Sequence, residues 1–144
     1  MDVRELNALE APDAAAGLAA CCTSTVWIDR MLAGRPFRDT TALLTKAEEI
    51  WWDLSAEDWQ EAFASHPTGA PEAGTEVRLD LEAATGEYTN TFGYPFIVFA
   101  ADPVETLEAC RRRLANDPLT ELGVTAAEMT RIINLRLRRL LDIS

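Results

Sequence analysis

A single histidine occurs in the chain, His66, within the stretch AFASHPTGAPEAG (62–74). Imidazole is the side chain whose unperturbed pKa lies near neutrality, so it is the natural candidate for moving a proton. Trp59, Ala62 and Phe63 precede it at helical spacing, which puts His66 on the apolar side of a helix at its C-terminal end. The helix dipole there favours the protonated ring. Pro67 turns the backbone before it extended and stops the helix. A packed, hydrogen-bonded core histidine would show the same pattern. A second residue keeps unusual company. In the last helix, at about 100° per residue, Met129, Ile132, Ile133, Leu137 and Leu140 form an apolar stripe with Arg136 in its middle. Arg131 and Arg138 fall on the opposite side. A guanidinium in an apolar stripe needs an anionic partner to offset its desolvation. That partner is a protein carboxylate or a ligand carboxylate, unless the side chain extends to water.

The elements that must position these residues read as helices. Ala11, Pro12 and Asp13 open a short helix through Cys21, and residues 24–33 form another, broken by Gly34 and Pro36. Thr40 or Thr41 caps a helix through Trp52, with Leu43, Leu44, Ala47, Ile50 and Trp51 at helical spacing. Ser55 with Asp58 resembles a capping box for a helix to about Ser65. Thr68–Thr75 is a loop, and a helix from Glu76 to Thr91 follows. FGYPFIVFA (92–100) is continuously apolar with Gly and Pro inside it, and reads as a buried strand or an irregular buried segment. Asp102 caps a helix with Pro103 at its first position, its apolar positions being Val104, Leu107, Cys110 and Leu114. Asp117-Pro118 repeats that start. Thr125 with Glu128 forms a T-x-x-E capping box for the last helix, which runs to about Leu141. The expectation is an all-α fold of about seven or eight helices in one domain, 1–144.

Composition narrows the function classes. Net charge is −11 and the pI about 4.4, which argues against binding nucleic acid or an anionic membrane surface, since both need a basic face. An acidic surface also serves solubility alone. No apolar run approaches the roughly 20 residues of a membrane span, and MDVRELNALE has no hydrophobic signal region. The expectation is a soluble cytoplasmic protein. Cys21, Cys22 and Cys110 are an odd set in such a setting and read as buried thiols. One His and an adjacent Cys pair lack the ligand spacing of a tetrahedral metal site. Neither G-x-G-x-x-G nor a Walker sequence is present for a nucleotide cofactor.

The order LNALE, LAACCTSTVWIDRMLAGRPF, LLTKAEEIWWDLSAEDWQEAFASHP, EYTNTFGYPFIVFAA and ETLEACRRRLANDPLTELGVTAAEMTRIINLRLRRL resembles the OHCU decarboxylase family, OHCU being 2-oxo-4-hydroxy-4-carboxy-5-ureidoimidazoline. The most specific pieces are RPF, AFASHP, FGYPFIVFA and RIINLRLRRL. The resemblance covers nearly the whole chain. It implies an all-helical fold, no metal, no organic cofactor, a homodimer, and the last step from urate to (S)-allantoin. It also implies roles. His66 matches the family's catalytic histidine, with Pro67 beside it, and Arg136 matches its substrate-binding arginine. Phe96, Ile97 and Val98 match the stretch whose backbone groups contact the substrate.

The chain departs from the family after His66. Where the family reads His-Pro-Arg-Ile-Gly, this sequence has His66-Pro67-Thr68-Gly69-Ala70. The following segment is short, and the family's Ser-x-x-Glu-Gln motif is reduced to APEAG (70–74), with Glu72 in the glutamate position and Ala73 in place of Gln; Glu76 is the other candidate. Thr85 stands where the family has Asn, and Cys22-Thr23-Ser24 where it has Cys-Gly-Ser. These changes gather at the substrate positions. Three readings follow: a cofactor-free decarboxylase, acting on OHCU or on another small anionic heterocycle or keto acid; a non-catalytic binding module on the same scaffold; and a helical interaction protein, which would display Trp51, Trp52 or Trp59 on a flat face.

Overall fold

The computed structural model describes residues 1–66, 74–99 and 102–143. Pro67 and Glu72 therefore lie outside the described residues. Eight helices are present among those described: α1 (Val3–Ala8), α2 (Ala11–Ala19), α3 (Thr25–Ala33), α4 (Thr40–Trp52), α5 (Ala56–Ala64), α6 (Thr75–Phe92), α7 (Pro103–Arg113) and α8 (Pro118–Leu140). The all-α expectation holds. The chain divides into two compact units, one of residues 1–62 and 130–144, the other of 63–129.

In the first unit α2 packs on α3 and α3 on α4. Leu6, Leu18, Trp27, Met31, Leu43, Trp51 and Leu137 are almost fully removed from water. Two indoles have their polar edges satisfied: Trp27 Nε1 donates to the Ala47 carbonyl at 3.2 Å, and Trp59 Nε1 to the backbone carbonyl of Trp51 at 2.8 Å. The RPF motif is structural. Arg35 Nη1 donates to the carbonyls of Leu6 and Leu9 at 3.0 and 2.8 Å, closing the C-terminal end of α1. The Phe37 backbone is held on both sides by the Asn7 amide at 2.9 Å. At the start of α3, the Thr25 N–H and hydroxyl both donate to the Glu61 carboxylate of α5, at 2.8 and 2.9 Å.

In the second unit α6 packs on α7. Phe63, Leu81, Tyr88, Tyr94, Ile97, Cys110 and Met129 are buried. α6 ends at Gly93, whose φ of +85° closes the helix with an N–H bond to the Thr89 carbonyl at 2.8 Å.

Several local readings hold. Ser55 and Asp58 exchange backbone N–H bonds as a capping box, at 3.2 and 3.4 Å. Asp102 caps α7 with Pro103 at its first position, and all three cysteines are free and buried. Others are corrected. The cap of α4 is Asp39, which accepts from the Ala42 N–H at 2.8 Å. The last helix starts at Pro118, where Asp117 accepts from the Thr120 N–H. Thr125 is thus interior to α8 and fully buried, so it caps nothing. Val104 lies 51% exposed instead of in the core. Trp51 is fully buried, so it displays no docking face. α1 was not foreseen.

Candidate active site

His66 belongs to the second unit and closes the helical run of α5, its N–H donating to the Phe63 carbonyl at 3.1 Å. The side chain is half-buried. Phe63, one turn earlier, is fully buried and packs against Tyr94 with tilted rings whose centroids are 5.1 Å apart. The apolar face that sequence spacing placed beside His66 is therefore real.

Phe96, Ile97 and Val98 lie in the same unit, in an irregular segment after Gly93. Of the two readings of FGYPFIVFA, the irregular segment is the correct one for residues 93–99, Phe92 being the last residue of α6. With no strand among the described residues, its backbone groups have no ladder to satisfy them. Ile97 is fully buried, Phe96 and Val98 half-buried. Among the described residues the N–H groups of all three lack hydrogen-bond partners, which leaves them available to a ligand oxygen.

Arg136 belongs to the first unit, half-buried, in a stripe with Ile133 and Leu137. Its Nη1 donates to the Cys21 carbonyl at 3.3 Å, and none of the ion pairs among the described residues includes it. Of the two partners expected for this guanidinium, a protein carboxylate is not found among the described residues. Much of its donor capacity is left for an anion. Cys21 and Cys22 lie in its field, yet burial dominates and pushes their thiols up to about 11 and about 12. They are inert by this measure.

Glu76, the alternative to Glu72, is exposed in the first turn of α6. The Thr85 hydroxyl turns back to the Leu81 carbonyl of its own helix at 2.8 Å. Among the described residues no group of three or more His, Cys, Asp or Glu side chains is placed to hold a metal ion, and no helix is long and apolar enough to cross a membrane.

A cluster missed by sequence reasoning lies beside the 96–98 segment. Arg113, 5% exposed, pairs with the fully buried Glu121, its Nη2 2.6 Å and its Nε 2.9 Å from Oε2. The Tyr88 hydroxyl donates to that same oxygen, and Asn116 Nδ2 donates to Oε1 at 3.0 Å. Arg113 Nη2 also reaches the Thr125 hydroxyl at 3.1 Å, and Nη1 the Ile97 carbonyl at 2.7 Å. Burial pushes the Glu121 carboxyl up, but the hydrogen bonds from Arg113, Tyr88 and Asn116 outweigh it and hold it below the ordinary value. Burial, and then the bond to Glu121, push the Tyr88 phenol well above its usual range. The signal was present in the sequence. Arg113 follows Leu107 and Cys110 on the apolar stripe of α7, as Arg136 does on α8. Thr125 lies one turn after Glu121, inside α8.

An open cleft of about 580 Å³ in the first unit is lined by Arg30, Lys46, Glu49, Ile50 and Asp53. It contains none of the candidate site residues read from the sequence.

The sequence profile of OHCU decarboxylase matches residues 7–74 and 68–138. The chain belongs to the OHCU decarboxylase family. Its two matched stretches overlap at 68–74, where the sequence departs from the family motif after His66. Among curated relatives, the chain is 30% identical over 146 residues to the uric acid degradation bifunctional protein TTL of Arabidopsis thaliana, covering 83% of this chain and 45% of that protein. It is 33% identical over 93 residues to 2-oxo-4-hydroxy-4-carboxy-5-ureidoimidazoline decarboxylase of Bos taurus, covering 63% of this chain and 53% of that protein. The chain thus spans about half the length of these curated relatives. Among solved structures, an OHCU decarboxylase crystallised in the presence of (S)-allantoin matches with TM-score 0.80 at 26% identity, over 86% of this chain and 96% of that one. A crystal structure of (S)-allantoin synthase matches in fold, with TM-score 0.84 at 19% identity, over 99% of this chain and 55% of that one.

Proposed function

We propose that this chain is a cofactor-independent decarboxylase that converts OHCU to (S)-allantoin in urate breakdown. The observation that carries the reading is the family match from residue 7 to residue 138. The likeness to the OHCU decarboxylase crystallised with (S)-allantoin, over 96% of that chain, supports it. In this reaction the bond from the ring carbon to the carboxylate breaks and CO₂ leaves. The electron pair stays on the ring carbon and its conjugated carbonyl, and a proton is then added on one face. His66 delivers or relays that proton, Glu72 is the second catalytic residue and Pro67 contributes to substrate binding. The free N–H groups of Phe96, Ile97 and Val98 stabilise the developing enolate. Arg136 holds an anionic or carbonyl group of the substrate through its unspent donors.

A second reading draws on the altered sequence after His66. The missing Arg-Ile and Gln side chains favour a family member whose substrate is a different small anionic heterocycle or keto acid, or a binding module without turnover. The test is incubation with OHCU freshly generated from urate, following the decay of its optical signal and the handedness of the product. The expected result is decay well above the spontaneous rate, yielding (S)-allantoin, and a loss of about 10²–10⁴ in kcat for His66→Gln. Decay at the spontaneous rate in the unaltered protein overturns the first reading and moves the search to other anionic heterocycles.

A further inference from the structure

The buried ion pair is coupled to the segment proposed to face the substrate. Arg113 uses Nε and Nη2 on Glu121, and Nη1 is left for the Ile97 carbonyl at 2.7 Å. Its guanidinium also lies over the Phe96 ring, 4.4 Å from the centroid. Three fixed points on a rigid, planar fork leave the fork no freedom to turn. The peptide joining Ile97 to Val98 is trans, so its carbonyl oxygen and the following N–H point in opposite directions. A carbonyl held toward Arg113 therefore turns the Val98 N–H away from the buried cluster. Val98 is half-buried, and that N–H has no hydrogen-bond partner among the described residues. It is a donor kept open by the geometry of its neighbour.

We infer that Arg113 is a positioning residue for the proposed reaction: by holding the Ile97 carbonyl it aims the Val98 N–H at the oxygen that becomes negative as CO₂ leaves. Glu121 is the clamp that fixes Arg113, itself held by Tyr88, Asn116 and Thr125. The inference rests on the reading given under Proposed function. Lysine at 113 would keep the charge and lose the fork, so it could not serve Glu121 and Ile97 together.

The experiment uses the full chain, Arg113→Lys, and the double variant Arg113→Met with Glu121→Leu. The double variant leaves no unpaired buried charge, so it retains a folded state if the single variant does not. Two quantities are measured: the amide resonances of residues 94–99 in ¹H–¹⁵N spectra, and kcat and KM for OHCU per folded protein. The expected result is a displaced or broadened Val98 amide, with α7 and the C-terminal half of α8 little changed. With it, kcat falls about 10²–10³-fold and KM changes less than about threefold, because the lost donor acts in the transition state. A Val98 amide that stays in place, or an unchanged kcat, overturns the inference. Absence of turnover in the unaltered chain refutes the functional reading separately, and the amide arm then decides alone whether Arg113 sets Val98.

Discussion

Arg136 and Arg113 show the same anomaly, a guanidinium on an apolar helical stripe, with two different resolutions. Arg113 finds a carboxylate, a hydroxyl and a carbonyl. Among the described residues Arg136 finds one carbonyl. The first arrangement is a self-satisfied buried network, and the second leaves donors for something else. Glu121 makes the network sensitive to acid. Its folded pKa lies below the ordinary carboxylate value of about 4.3. Its contribution to stability is therefore complete above that value and is lost as pH falls through the lower folded value. Denaturant midpoints taken from pH 6 down to pH 3 should drop less steeply for Glu121→Gln than for the unaltered chain. Tyr94 gives a second prediction. Its hydroxyl is buried and has no hydrogen-bond partner among the described residues. Such a group carries its full desolvation cost. Tyr94→Phe should leave stability unchanged or raise it by up to about 1 kcal/mol, read as the urea midpoint. A loss of stability would show that the hydroxyl is satisfied in solution.

Among the elements, the helices were legible because their stops and starts are local. Ser55 with Asp58, and Asp102 with Pro103, are read from four residues and need no tertiary partner. α8 shows the limit. Thr125 with Glu128 has the composition of a capping box, but the helix already runs from Pro118, and burial of Thr125 against Tyr88 and Arg113 settles its role. The segment after Gly93 is irregular, and among the described residues no strand lies beside it. Gly93 itself requires its left-handed φ of +85°. A Cβ there would meet nothing within 4 Å, so the cost of a side chain is conformational alone. Gly93→Ala should destabilise the protein by about 1 kcal/mol, with little change in the spectra of helices other than α6. A much larger loss would point to a steric role that the open space does not provide.

At the scale of the whole molecule, the thiols report how the chain opens. Cys21 and Cys22 lie in the first compact unit and Cys110 in the second. All three are at most 2% exposed, and burial pushes them up to about 11, about 12 and about 11. At pH 8 a disulfide reagent should label almost none in the native protein and all three in denaturant. Under native conditions, labelling follows opening. One common rate for the three thiols would mean that the units open together, as a single domain should. A separate rate for Cys110 would mean two cooperative units.

The sequence by itself determined the all-helical class, most helix boundaries, the buried thiols and the family. These depend on local spacing, capping chemistry and ordered motifs that survive without knowledge of contacts. It also raised His66 and Arg136 as residues in unusual company. Only the tertiary structure decided what that company was. Whether a guanidinium in an apolar stripe is paired depends on residues far away in the chain, such as Cys21 for Arg136 or Ile97 for Arg113. The Arg113–Glu121 cluster joins three separate elements and the irregular segment. No spacing along one helix encodes which polar groups meet inside a fold, because burial and geometry, not sequence distance, set the strength of each bond.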